Sequence, residues 1–312
     1  MGDLKIRAVG FPEKTMYIIF KMRDMITRRT FLSRSVATLG TLAVASQIPL
    51  GLSARPAGFP APRKYKLPLG FQVWTIREDL LKDFPGTLKK MAALGYETVE
   101  MCSPPGYGWT PLVKYSGKEI KKIINDAGLQ LESTHYGMKE LRENLGERIE
   151  FAASSGQKQM VLSSFGLPKE ASLDDWRRAA QELNEIGRKT AAAGLQMGFH
   201  NHHTEFQEID GVLIYDELLK NFDPLLVKMQ FQVAVVNIGF QAADYFLKYQ
   251  GRFISAHLAD WSYLQEKNVA LGQGGVDWDL FFERADKAGL KNLFVEMDPV
   301  TFADSAKFYY GK

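Results

Sequence analysis

Between Leu195 and Phe206 the sequence reads LQMGFHNHHTEF, and this stretch holds His200, His202 and His203 out of only five histidines in the chain. Imidazole is the commonest protein ligand for divalent transition metals and titrates near neutral pH. A short apolar alternation ending in His-Asn-His therefore reads as a strand that delivers such groups at its carboxyl end. Other apolar runs stop on comparable residues: Gln72, Trp74 and Arg77; Glu100; His135; Ser163 and Ser164; Gln232; His257; Glu296 and Asp298. A lone histidine in a strand is most often a hydrogen-bonded core residue, and a terminal glutamate often a helix cap. The regular return of His or Glu at strand ends is what separates this chain from that bland alternative. Convergent imidazoles and carboxylates can hold a divalent ion or move protons.

The elements that must carry these residues alternate. Strands are expected at Gly70–Trp74, Thr98–Met101, Leu129–Thr134, Met160–Ser163, Gln196–His200, Val227–Gln232, Ile254–His257 and Asn292–Glu296. Amphipathic helices are expected at Leu80–Ala93, Gly117–Asp126, Arg142–Ala153, Leu173–Ala193, Val212–Asn221, Ala242–Lys248 and Trp278–Ala288. Gly95, Gly128, Gly194 and Gly289 follow helical runs, where glycine supplies a left-handed cap. Eight βα units over about 245 residues have the rhythm of an α/β (β/α)₈ TIM barrel, whose chemistry lies at the strands' carboxyl ends. An open doubly wound sheet is the rival, but no Gly-x-Gly-x-x-Gly follows the first strand.

Composition narrows the function. An apolar fraction of 46% suits a large core, and Lys+Arg 39 against Asp+Glu 36 gives net +3. Much of the excess lies before residue 40, so the remainder is near neutral, which argues against a nucleic-acid groove. Cys102 is alone, excluding an internal disulfide and a zinc knuckle. Residues 1–57 read as an N-terminal extension with a twin-arginine-like signal: Arg28-Arg29, then Phe31-Leu32, then a short weakly apolar run. That predicts a periplasmic or secreted protein with no stable membrane span after cleavage. A Pro-rich linker at 58–66 and a single barrel domain at 67–312 complete the expected organisation, which leaves room for a homo-oligomer.

The segments GYETVE (95–100), GFHNH (198–202), KMQFQV (228–233), GRFISAHLAD (251–260), LGQGGVDW (271–278) and FVEMD (294–298) together resemble the xylose isomerase-like barrel superfamily, in its sugar phosphate isomerase/epimerase branch. The resemblance implies one divalent ion (manganese, zinc, magnesium or cobalt) at the barrel mouth, held from strands five to eight. Carried over, the ligand positions are His200, Gln232, His257 and Glu296. Gln232 stands where the family has Asp, and His200 where it has Glu. Epimerases of the family oppose two glutamates across the substrate; here Glu296 keeps one place, and His200 or His135 is left as second base, with Glu205 as a further candidate. Trp74, Glu100, His202 and Asp298 are expected to contact substrate, and Trp74, Trp109, Trp261 and Trp278 offer stacking faces for a sugar ring. The implied activity is isomerisation or epimerisation of a small carbohydrate or polyol by proton abstraction beside a carbonyl. The alternatives are a lyase on keto-sugars, a catalytically altered sugar-binding barrel, or the partner subunit of an oxidoreductase. A DNA-repair endonuclease of the endonuclease IV type would need many more His and acidic ligands. A substrate phosphate is not expected, Gly272–Gly275 being the sole Gly-rich candidate to cradle one.

Overall fold

A computed structural model describes residues 65–311. The extension, the twin-arginine-like signal and most of the linker lie outside them. The eight barrel strands are β1 (Leu69–Gln72), β2 (Thr98–Cys102), β3 (Gln130–Gly137), β4 (Gln159–Ser164), β5 (Gln196–His200), β6 (Val227–Gln232), β7 (Phe253–Leu258) and β8 (Asn292–Val295). All pair in parallel, and β8 closes on β1 through Leu69–Leu293, Gly70–Phe294 and Phe71–Val295. The barrel expected from the sequence is the fold.

The principal helices are α1 (Phe84–Ala93), α2 (Gly117–Asp126), α3 (Met138–Ser155), α4 (Leu173–Ala192), α5 (Ile214–Asn221), α6 (Ala242–Lys248), α7 (Trp278–Ala288) and α8 (Phe302–Tyr310). Capping boxes start α2 (Ser116 with Glu119) and α4 (Ser172 with Asp175), satisfying N–H groups that have no intrahelical partner. Gly95, Gly128, Gly194 and Gly289 all take positive φ at the turns that lead back into strands.

Several boundaries differ from the sequence expectation. The expected helix at Leu80–Ala93 is two: Arg77–Lys82, then α1, broken at Asp83, whose carboxylate caps the Gly86 N–H at 2.9 Å. β1 ends at Gln72 rather than Trp74, because the Gln72 side chain accepts the Trp74 N–H and turns the chain into a 3₁₀ segment, Val73–Ile76. β3 runs past His135 to Gly137. Residues Val212–Leu213 pair with Glu208–Ile209 in a hairpin before α5 begins. Helix α8 had no expectation attached to it. Among the described residues no helix is long and apolar enough to cross a membrane.

The strands separate two environments. Outside the barrel, Phe231 packs among Phe206, Tyr215, Tyr245, Phe246 and Phe253, and Phe199 stacks on Phe165 at 4.7 Å. Inside, towards the carboxyl ends, the same strands present Glu100, Ser133, His135, His200, Gln230, Ser255 and His257, all buried. Residues two apart on a strand share a face and rise about 6.6 Å along it. Ser133 and His135, Gln230 and Gln232, and Ser255 and His257 therefore form successive tiers of one polar interior.

Candidate active site

Three imidazoles meet inside the barrel. His135 (β3), His200 (β5) and His257 (β7) each offer one nitrogen within 4.8 Å of the others. The His135 and His257 rings stack 5.1 Å apart, and His200 lies 4.4 Å from His257. Glu100, from β2, is wholly buried beneath them. Its Oε2 pairs with His257 Nε2 and lies 3.1 Å from His135 Nε2, while its Oε1 accepts from Ser133 Oγ and, at 2.7 Å, from Gln230 Nε2. Gln230 closes the network: its Oε1 is 2.7 Å from His135 Nε2 and 2.9 Å from His200 Nδ1, and its Nε2 also donates to Ser255 Oγ at 2.9 Å.

The next tier holds Glu296 and Gln232. Glu296 Oε2 lies 2.9 Å from His257 Nδ1 and accepts the Gln232 Nε2–H at 2.6 Å. Among the described residues no hydrogen bond reaches Glu296 Oε1, and its side chain keeps 16% exposure where that of Glu100 has none.

These contacts fix the charges. Burial pulls the His257 pKa down, but Glu100 and Glu296 on its two nitrogens outweigh that and raise it to about 10. His257 is thus an imidazolium donating to both carboxylates. Burial acts to raise the Glu100 and Glu296 pKa values. For Glu100 the histidines His135 and His257 overcome it, for Glu296 chiefly His257, and both carboxylates end below their usual range. His200 goes the other way: burial first, then the neighbouring imidazoles, hold its pKa well below 6.5, so it is neutral near pH 7. Glu100 and Glu296, both ionised, place two negative charges in a buried interior, an environment that attracts a cation.

The structure brings together His135, His200, His257, Glu100, Glu296 and Gln232, and it revises several roles. Gln232 does not turn its amide oxygen to the histidines. That oxygen accepts the Ala234 N–H at 3.1 Å and caps the 3₁₀ turn Val233–Ile238, leaving only the NH₂ group on Glu296. Glu100, expected at the substrate, is sealed below the cluster as a counter-charge. Asp298 is exposed and caps the turn Pro299–Thr301 through the Val300 N–H. His202 and His203 are exposed; the His202 ring lies 4.8 Å from His200, while His203 bonds Asn237 at 2.8 Å. Glu205 is buried away from the cluster's bonds and caps the His202 N–H at 2.7 Å. Trp109 and Trp278 are core residues, Trp278 donating to Asp260 at 2.9 Å, whereas Trp74 is 42% exposed with the Arg77 guanidinium 4.5 Å over its ring. Gly272 and Gly274 also give their N–H groups to Asp260, so these amides are committed within the fold and not to a phosphate.

Sequence reasoning missed Gln230, Ser133 and Ser255. Each sits two residues before a residue it did single out, so the signal was a polar side chain at i−2 in an otherwise apolar strand.

The donor set suits a divalent ion in its chemistry. Three imidazoles beside carboxylates are ligands of zinc or manganese type. Nitrogens that all lie within 4.8 Å of one another are close enough for one ion to draw on all three. His257 would have to give up a proton. His135, His200 and His257 would hold the ion, with Glu100 and Glu296 supplying negative charge.

A family model for the xylose isomerase-like TIM barrel matches residues 88–308. Among solved structures, a sugar phosphate isomerase/epimerase from Parabacteroides distasonis superposes with a TM-score of 0.67 at 23% identity, covering 85% of this chain and 97% of that one. The probable 3-DHS dehydratase AsbF of Bacillus anthracis, involved in petrobactin synthesis, gives 0.62 at 12% identity, with 78% and 98% covered. The IolI protein with a bound zinc atom gives 0.57 at 15% identity, with 78% and 94% covered. No curated protein matches the sequence.

Proposed function

The chain belongs to the xylose isomerase-like TIM barrel family, and on that premise we propose that it is a divalent-metal-dependent enzyme that abstracts a proton beside the carbonyl of a small carbohydrate or polyol. The observation that carries this reading is Glu296. Its Oε2 is tied to His257 and Gln232 while, among the described residues, Oε1 takes no hydrogen bond, and of the cluster's two carboxylates it is the one that keeps exposure. A base needs a fixed, ionised oxygen that is not already committed, and Oε1 meets that need on a side chain with 16% exposure. Taking up the proton there neutralises Glu296, whose other oxygen stays on the Gln232 amide. With His200 committed to the ion through its one free nitrogen, the same Glu296 oxygen returns the proton to the neighbouring carbon. A bound ion would polarise the substrate carbonyl and stabilise the enediolate. Trp74 supplies an exposed aromatic face, and His202 a polar one, for substrate hydroxyls.

The reading is supported by two structural relatives, a sugar phosphate isomerase/epimerase and a probable dehydratase, and a zinc-binding relative supports the ion. We place the protein outside the cytoplasm by twin-arginine export, on the strength of Arg28-Arg29 and the run that follows them.

The test is solvent exchange. Free keto-sugars, 3-keto-glycosides and inositols are incubated in D₂O with Mn²⁺, Co²⁺ or Zn²⁺, and deuterium at the carbon next to the carbonyl is read by NMR. Exchange should appear with one class and vanish in Glu296→Gln. No exchange with any of them under any metal would sink the proposal. A second reading, a barrel that binds sugar without turnover, is favoured by the commitment of the Gln232 oxygen to Ala234. Stoichiometric metal in the natively purified protein would oppose it.

A further inference from the structure

The interior contains a side chain that decides which nitrogen of each neighbouring histidine carries a lone pair. Gln230 is wholly buried and makes four hydrogen bonds, through both ends of its amide. An amide can be oriented either way round, but here its partners permit one orientation. Glu100, as a carboxylate, only accepts, so the Gln230 group facing it at 2.7 Å must be NH₂. The second N–H then goes to Ser255 Oγ, whose hydroxyl can accept it. The amide oxygen is left facing His135 Nε2 and His200 Nδ1, and an oxygen there accepts from both.

We propose that Gln230 is a positioning residue that locks the tautomers of two histidines, holding His200 as the Nδ1–H form with its lone pair on Nε2, and His135 protonated on Nε2. For His135 a second acceptor agrees, since Glu100 Oε2 lies 3.1 Å from the same nitrogen. Among the described residues His200 has only Gln230 on its Nδ1, so its tautomer depends on this amide. The lock opposes the preference of free neutral imidazole, which favours Nε2–H. The consequence deepens the proposed chemistry and rests on it: His200 would bind the ion through Nε2. In the same way a hydrogen bond to one ring nitrogen of a metal-binding histidine selects the other as ligand.

The test needs no substrate. The full chain, labelled with ¹⁵N-histidine and treated with chelator, is examined by long-range ¹H–¹⁵N correlation near pH 7, with the His200 signals assigned from the spectrum lost in His200→Gln. The wild type should show His200 protonated at Nδ1 and bare at Nε2. In Gln230→Met, similar in length but unable to accept, His200 should move to the Nε2–H form, while His135 keeps Nε2–H through Glu100. Ser255→Ala, which leaves the amide oxygen in place, should retain the wild-type pattern. A His200 that is Nε2–H in the wild type overturns the inference even if Gln230→Met fails to fold. So does an unchanged His200 in a folded Gln230→Met. Because the ion is stripped first, failure here is separate from failure of the metal-dependent reading, which solvent exchange and metal content decide.

Discussion

Gln230 and Gln232 lie on one strand, on one face, about 6.6 Å apart along it, yet they do unlike work. Gln230 spends every hydrogen bond inward, on Glu100, His135, His200 and Ser255. Gln232 spends one on its own chain, capping the turn at Ala234, and one on Glu296. The lower tier is a closed polar network without exposure, and the upper tier is where the network meets the mouth. Glu100 and Glu296 repeat the contrast: both are carboxylates on His257, but Glu100 is saturated and Glu296 has an oxygen to spare. Stability should therefore be concentrated below and chemistry above.

The strongest challenge to that division is Glu100→Gln. Removing a buried carboxylate leaves the His257 imidazolium with Glu296 as its sole counter-charge among the described residues, which should lower unfolding stability by about 3–5 kcal/mol, read by urea titration at pH 7. A loss below 1 kcal/mol would mean that the lower tier is not the anchor.

The pH dependence sharpens the same point. The His257 pKa is raised in the folded state from 6.5 to about 10 by Glu100 and Glu296 acting against burial. A group bound more tightly by proton when folded contributes stability fully below its unfolded pKa and loses it as pH rises through the folded one. Stability should fall between pH 6.5 and about 10, and that limb should flatten in His257→Gln. Glu100 has the opposite sign: its lowered pKa gives stability present above the ordinary carboxylate range and lost as the pH falls below it.

Gln232→Asp tests the upper tier. The new carboxylate would face Glu296 in place of an amide donor, so stability without metal should drop by about 1–3 kcal/mol. Added Mn²⁺ or Zn²⁺ should restore it, with tighter binding than wild type in calorimetric titration. Equal affinity in the two forms would remove residue 232 from the ion's surroundings. The smallest effect on folding is expected at the rim: Trp74→Ala should change stability by no more than about 0.5 kcal/mol while weakening sugar binding in fluorescence titration. A large folding defect would make Trp74 a packing residue.

The barrel was legible in the sequence because its signals are local. Alternating strands, helical stripes and the glycines at 95, 128, 194 and 289 each depend on neighbours a few residues away. Capping side chains act locally too, but they decide boundaries: Gln72 ended β1 early and Asp83 split a helix, since a polar side chain competing for backbone N–H groups is invisible to periodicity. Residue types at strand ends identified His135, His200, His257 and Glu296 as a set. What only the tertiary structure decided is the height of each residue in the barrel. Strand alternation says that Gln230 and Gln232 share a face, but the register with β5 and β7 determines which of them meets His200 and Ser255. The same register sinks Glu100 beneath the histidines and leaves Glu296 near the mouth, because closing eight strands into a ring sets levels that no single strand contains.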